Sequence, residues 1–206
     1  MLHNKGHLYF KHLFSSFSIW PIILIGLLFR LVNINAPVIG VHSWRQADTA
    51  SIARNFLSNN LIFWQPQVNW SGSTNGFVEC EFPLYQYLVA YLYKIFGVNE
   101  IWARGLSILF GCLSILFLFR LITRVFDLQV AWWGSLFYAI FPVCVFYSRT
   151  IQPESLMMFL GIVSLERWMI FLENKNKKNL FLSWFAFTLA VLIKVLPLFW
   201  IGIPIL

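Results

Sequence analysis

The sequence predicts an all-α polytopic membrane protein with about five transmembrane helices and a long first extracytoplasmic loop. Of its 206 residues, 59% are hydrophobic and only 11% are charged, and the mean hydropathy is +0.72. This composition is too apolar for a soluble domain of the same length. The formal net charge of +7 comes from basic residues at the ends of apolar runs, a pattern that indicates membrane topology and argues against nucleic-acid binding.

The cysteines give no sign of a disulfide scaffold or of a zinc site. Cys80, Cys112 and Cys144 have no even pairing and no metal-ligand spacing. The last two also fall inside apolar runs. We therefore predict no disulfide framework.

Five apolar runs are each about as long as the roughly 20 residues that cross a bilayer as a helix. No small-residue cleavage site follows the first run, so we interpret it as a membrane span and not as a signal peptide. The predicted spans are residues 17–34, 101–119, 128–147, 155–172 and 180–200.

The positions of lysine and arginine predict a cytoplasmic N-terminus, and we expect the membrane to be the plasma (inner) membrane. Basic residues precede the first span, separate the second and third spans, and surround the joint between the fourth and fifth spans: Lys5, Lys11, Arg120, Arg124, Arg167, Lys175, Lys177 and Lys178. The other side holds residues 36–100 and the short connection 148–154, which carry five of the eight acidic residues. We predict that these two segments are extracytoplasmic.

The long loop is predicted to carry two helices that lie on the membrane surface. Ser43 and Gln46 fit a capping box, and apolar residues recur at near-helical spacing as far as Leu57. The second helix begins at Pro83 and ends at Gly97. Its four tyrosines suit the headgroup level of a bilayer.

Three acidic residues of the loop stand out as candidate functional residues. Asp48 lies in an apolar-patterned helix near the bilayer, where a carboxylate usually has a partner or a function; the alternative is an ion pair with Arg45 three residues earlier. Glu79 and Glu81 flank a cysteine, and they would share a divalent cation or both be solvated. Glu81 alone could also cap the next helix.

Four further charges lie near the same side of the membrane. Arg149 and Glu154 occupy the short second connection, where the alternatives to a functional role are a headgroup anchor and a carboxylate at a helix N-terminus. Lys194 stands about 21 Å into the fifth span at ~1.5 Å per residue, so it snorkels outward or meets an anion. Arg30 is interpreted as an ordinary snorkelling residue. Together the charges favour an amphiphilic ligand, best a lipid-linked phosphate.

Four stretches also occur in a characteristic order, namely WRQADTASIARNF (44–56), EFPLYQYLVAYLYKIFG (81–97), SRTIQPESLMMF (148–159) and LIKVLPLFWIGIPIL (192–206). With the topology, they resemble the N-terminal part of GT-C class membrane glycosyltransferases. That class includes protein O-mannosyltransferases and the lipid A aminoarabinose transferase. Family members generally have an Asp-Glu pair in the first loop, whereas this chain has Asp48-Thr49.

The resemblance implies a polyprenyl-phosphate-linked sugar as donor and a protein, lipid or glycan as acceptor, as in protein glycosylation or in the modification of lipid A or another cell-envelope glycan. A lipid phosphate leaves as a stabilised anion, so one general base and one cationic clamp suffice. We assign Asp48 as the base of an inverting transfer, Arg149 and Lys194 to the phosphate, and Glu81 to the sugar or to a divalent metal cation. The predicted substrate-binding residues are Arg45, Glu81, Arg149, Glu154 and Lys194.

The same charges would also serve a lipid-phosphate-binding transporter or a non-catalytic membrane subunit. Transporters usually carry internal repeats and charged residues near the bilayer midplane, and the sequence has neither pattern. The apolar run that reaches Leu206 has no polar residue to close it. We therefore expect the N-terminal part of a longer enzyme.

Overall fold

The computed structural model describes residues 18–38, 42–70, 72–78 and 81–202. Some of the predictions concern residues outside these ranges. They are the predictions for the first residue of span one, Lys5, Lys11, Glu79, Cys80 and Leu206. Within the described part, the secondary structure is helical apart from loops and one antiparallel bridge between Gln67 and Phe77. The fold is therefore all-α, as the composition predicts.

Eight α-helices and a final π-helical turn make up the described architecture. They are α1 (Trp20–Leu31), α2 (Ser43–Ser58), α3 (Leu84–Phe96), α4 (Glu100–Val125), α5 (Leu128–Ile140), α6 (Pro142–Tyr147), α7 (Glu154–Asn174), α8 (Lys177–Ile193) and the turn Leu198–Gly202. Of these, α4 and α7 are long and apolar enough to cross a membrane, and α1 is a shorter apolar helix. The described part is thus all-helical apart from loops and one bridge, and two of its helices could cross a membrane by length and composition.

Prolines divide two of the predicted spans. The third predicted span is broken between α5 and α6, where Phe141 is extended and Pro142 begins a new helix. Helix α8 ends at Ile193, four residues before Pro197, whose ring would clash with the carbonyl of residue 193 in a continuing helix. Lys194 therefore stands in extended backbone at the end of α8 and not inside a helix.

The two loop helices form, but the predicted capping box is wrong. Helix α2 begins at Ser43, and the preceding cap residue is His42, which has a φ of 56° and makes no side-chain cap bond. The side-chain oxygen of Gln46 instead accepts a hydrogen bond from the backbone N–H of Ile151, 3.3 Å away. The second loop helix, α3, ends at Gly97 as predicted, because glycine readily adopts the positive φ of 84° found there.

The loop helices are packed tightly against the long helices. Helix α2 packs on α3, α3 on α4, and α4 and α8 on α7. Tyr85 of α3 is fully buried, and its hydroxyl donates to the carbonyl of Ala103 at 2.8 Å and lies 2.7 Å from Oγ of Ser107. This packing fixes the loop helices over one end of the bundle, where the charged residues gather.

Arg30 is fully buried, so its interpretation as a snorkelling residue is wrong. Its Nε donates to Oγ of Ser148 at 2.6 Å, and one terminal nitrogen donates to the carbonyls of Gly26 and Ala139, both at 2.9 Å. These bonds tie α1 to α5 and to the end of α6. Burial is possible because Gly26 on α1 and Gly111 on α4 leave room beside the guanidinium.

Substituting Gly111 tests this arrangement. A Cβ at residue 111 would lie 2.6 Å from Cβ of Ser148 and 2.9 Å from Nε of Arg30, so Gly111→Ala should cost about 1–3 kcal/mol in the free energy of unfolding. Gly105→Ala on the same helix is the control, since its Cβ meets no atom within 4 Å. Thermal unfolding in detergent compares the two; equal melting temperatures would contradict the argument.

The opposite end of α4 and α7 carries a separate group of ion pairs. Glu166 is fully buried and pairs with Arg120 at 2.9 Å and with Arg167 at 3.2 Å. Arg124 and Glu173 pair at 2.7 Å beside them. The two long helices therefore carry a polar cluster at each end with an apolar stretch between them.

Candidate functional site

Four of the five predicted substrate-binding residues form one chain of ion pairs at the end of the bundle under the loop helices. A terminal nitrogen of Arg45 on α2 donates to both carboxylate oxygens of Glu81, at 2.6 and 2.8 Å. Its Nε lies 3.5 Å from the carboxylate of Glu154, the first residue of α7. Glu154 in turn pairs with Lys194 at the end of α8. The chain therefore runs Glu81, Arg45, Glu154, Lys194 and joins four segments of the fold.

The electrostatics of this chain of ion pairs keep Arg45 charged. Burial alone would lower the pKa of Arg45, but the hydrogen bond with Glu81 and the charges of Glu81 and Glu154 outweigh burial and raise the pKa above its ordinary value. The Glu154 side chain is only 12% exposed. Its second oxygen is buried with no hydrogen-bond partner among the described residues. An anionic ligand that binds here must compete with Glu154 for its two cations.

Arg45 does not form the intrahelical pair with Asp48 that was the alternative at the sequence level, because its guanidinium turns to Glu81 and Glu154. Glu81 likewise bonds to Arg45 with both of its carboxylate oxygens, and the cap residue of α3, Pro83, makes no side-chain cap bond. Asp48 is half-buried, and its Oδ1 accepts a hydrogen bond from Nε1 of Trp70 at 2.9 Å. The indole thus holds the carboxylate in a defined orientation.

Asp48 stands in the wall between two clefts. The first, the Glu81 cleft, has a volume of about 400 Å³ and is lined by Arg45, Asp48, Thr49, Ile52, Val68, Trp70, Val78, Glu81 and Gln86. The second, the Trp44 cleft, has a volume of about 360 Å³ and is lined by Val38, Trp44, Ala47, Asp48, Ala50, Ser51, Arg54, Asn69, Trp70 and Glu100. Asp48 and Trp70 line both clefts, so one carboxylate is accessible to ligands on either side.

Arg149 lies in a third cleft, apart from Asp48. This arginine cleft, of about 260 Å³, is lined by Arg30, Val32, Asn33, Ile34, Ala36, Pro37, Gln46, Arg104, Phe146, Arg149 and Thr150. Arg149 donates to the carbonyl of Val32 at 3.2 Å, and Arg104 donates to the carbonyl of Ile34 at 2.5 Å. Three arginines and no carboxylate line the cleft, which makes it electropositive.

The metal prediction for Glu81 stays a prediction. Both oxygens of Glu81 are occupied by the guanidinium of Arg45. No cluster of three or more His, Cys, Asp or Glu side chains lies among the described residues. We derive no chemical step that passes through a metal.

Sequence reasoning missed Trp70, Arg104 and the burial of Arg30. Trp70 lies in the polar stretch between the two predicted surface helices, where a large aromatic residue was itself a signal. Arg104 is the fourth residue of the second predicted span, and a charged residue inside an apolar run was itself a signal. No local pattern distinguished a buried Arg30 from an exposed one.

The family model described as dolichyl-phosphate-mannose-protein mannosyltransferase matches residues 81–206. The matched part begins at Glu81 and includes Arg149, Glu154 and Lys194, whereas Arg45 and Asp48 precede it. The comparison with curated proteins gave no match, and neither did the comparison with solved structures. Because the family model covers more than half of the chain, the chain belongs to the dolichyl-phosphate-mannose-protein mannosyltransferase family and is a GT-C class membrane glycosyltransferase.

Proposed function

We propose that the chain transfers a sugar from a polyprenyl-phosphate donor to an acceptor on the extracytoplasmic face of the plasma (inner) membrane, with inversion and with Asp48 as general base. One observation carries the proposal. The family-matched residues Glu81, Glu154 and Lys194 meet Arg45 in a chain of ion pairs. These ion pairs border the Glu81 cleft, which Asp48 also lines.

The proposed topology has five membrane-crossing segments with the N-terminus in the cytoplasm. Helices α4 and α7 have the length and apolarity for it, and α1, α5 with α6, and α8 supply the other three. The charge distribution supports this orientation. Arg120, Arg124 and Arg167 gather at one end of α4 and α7, and the carboxylates of Asp48, Glu81 and Glu154 lie at the other.

The proposed reaction is a single displacement at the anomeric carbon of the donor. The acceptor hydroxyl gives its proton to Asp48 as its oxygen forms the new bond to that carbon. The bond from the carbon to the phosphate oxygen breaks, and its electron pair leaves with the lipid phosphate. The leaving group is already a stabilised anion, so no second carboxylate is needed to protonate it.

The cations of the site are proposed to stabilise that leaving phosphate. Lys194 and Arg45 both pair with the carboxylate of Glu154. A phosphate is also an anion, so it can accept hydrogen bonds from the same two cations. Arg149 is the more distant candidate because it opens on the arginine cleft with Arg30 and Arg104. Guanidinium groups bind phosphate oxygens in a bidentate manner, which suits this role.

The test is sugar release from radiolabelled polyprenyl-phosphate hexoses by membranes that contain the full-length protein, with acceptor-containing extract present. We expect release above membranes without the protein. Donor binding with no release across a broad panel of sugars would contradict the transferase. That outcome would favour a lipid-phosphate-binding transporter or a non-catalytic subunit.

A further inference from the structure

We propose that the Trp44 cleft is the acceptor site and that it binds a carbohydrate, so the acceptor hydroxyl belongs to a sugar. This inference rests on the proposed function. Asp48 lies in the wall between two clefts, and a base in that position can take a proton from a ligand on one side while the sugar donor lies on the other. The ion-pair chain borders the Glu81 cleft through Arg45, which assigns the donor to that side and leaves the Trp44 cleft for the acceptor.

Two exposed indole rings form the aromatic part of the Trp44 cleft. Trp44 and Trp70 are 67% and 59% exposed, and their ring centroids are 5.8 Å apart at an interplanar angle of 42°. The face of an aromatic ring is electronegative, and one face of a pyranose presents polarised C–H groups that are attracted to it. A tilted pair of broad, accessible rings is therefore suited to stack against a sugar.

Hydrogen-bonding groups surround these rings. Asn69 lines the Trp44 cleft together with Asp48. Arg54 and Glu100 form a loose pair at 3.4 Å, with side chains 45% and 34% exposed. Such a pair is worth little in water, so sugar hydroxyls can displace it at small cost. Aromatic faces with a few polar groups at the rim are the usual composition of a small-ligand site, and this set of amide, carboxylate and guanidinium matches a polyhydroxylated ligand.

The link between Trp70 and Asp48 connects the aromatic surface to the reacting group. Nε1 of Trp70 donates to Oδ1 of Asp48 at 2.9 Å, so a sugar stacked on the indole lies beside the carboxylate. A hydroxyl on the edge of that sugar is then within reach of the base. Its proton moves to Asp48 and its oxygen joins the donor's anomeric carbon, as in the displacement described above.

The test is saturation-transfer NMR of the full chain in nanodiscs without donor. The probes are methyl glycosides of mannose, glucose, galactose and N-acetylglucosamine, together with maltose and cellobiose. We expect at least one saccharide to bind, Trp44→Ala to weaken its affinity at least tenfold, and Trp44→Phe to retain part of it. Trp64→Ala is the matched control, because Trp64 is 80% exposed in the same loop and lines neither cleft.

Binding of a polyprenyl-phosphate donor, measured in parallel, separates this inference from the proposed function. Trp44→Ala should bind the donor within about twofold of the wild type. If no saccharide binds, or if Trp44→Ala and Trp64→Ala bind saccharide equally, the carbohydrate site is refuted while the transferase stands. Transfer to a serine- or threonine-containing peptide but to none of the saccharides would also overturn it. A wild-type chain that neither binds nor cleaves the donor would instead count against the proposed function.

Discussion

Asp48→Asn is expected to lower sugar release from a polyprenyl-phosphate donor at least 100-fold at saturating donor. A positioned general base contributes about 10²–10⁴-fold to a rate, and an amide cannot accept the acceptor proton. Asparagine keeps the size of aspartate, and its oxygen can still accept the hydrogen bond from Trp70. The loss should therefore appear in kcat, with donor binding unchanged within about twofold.

Asp127→Asn is the matched control for this experiment. Asp127 is the cap residue of α5, where its side chain accepts a hydrogen bond from the backbone N–H of Val130. Asparagine caps helices about as well as aspartate, so this variant should keep the wild-type rate. Wild-type transfer by Asp48→Asn, in protein that inserts normally, would show that Asp48 is not the base.

The helices were predictable from sequence where local composition decides them. The apolar runs that became α4 and α7 are long, and a helix satisfies every backbone group of such a run within the segment. The division at Pro142 was missed, and the fifth span was drawn through Pro197 to residue 200, although a proline there can open the helix backbone. Hydropathy continues across both prolines, whereas the helical backbone does not.

The candidate site was predictable in its members but not in its pairings. Charged residues beside apolar runs are costly, and that cost drew attention to Asp48, Arg45 and Lys194. Arg45 had a carboxylate three residues away, yet it pairs with Glu81, because the packing of α2 on α3 brings that distant side chain closer. Only tertiary structure decides between such partners.

Glu154→Gln is expected to have the largest effect on stability, on the order of 3 kcal/mol in the free energy of unfolding. Glu154 and Lys194 have side chains only 12% and 17% exposed, and removing one partner of a buried pair leaves an uncompensated charge. Glu173→Gln is the matched control. Glu173 pairs with Arg124, but its side chain is 46% exposed, so its loss should cost about 1 kcal/mol or less.

A double variant separates the unpaired charge from general damage at the site. If the cost of Glu154→Gln comes from the ammonium group left behind, then adding Lys194→Met removes that group, and the double variant should be more stable than Glu154→Gln alone. Denaturant unfolding in detergent measures both. The coupling between Glu154 and Lys194 would be refuted if Glu154→Gln and Glu173→Gln lowered the free energy of unfolding equally. It would also be refuted if the double variant lost the sum of the free energies that the two single variants lose. The coupling matters for catalysis because Glu154 holds two cations, Arg45 and Lys194, that the proposed mechanism needs beside the phosphate. A variant protein that does not hold these cations in place should also release less sugar.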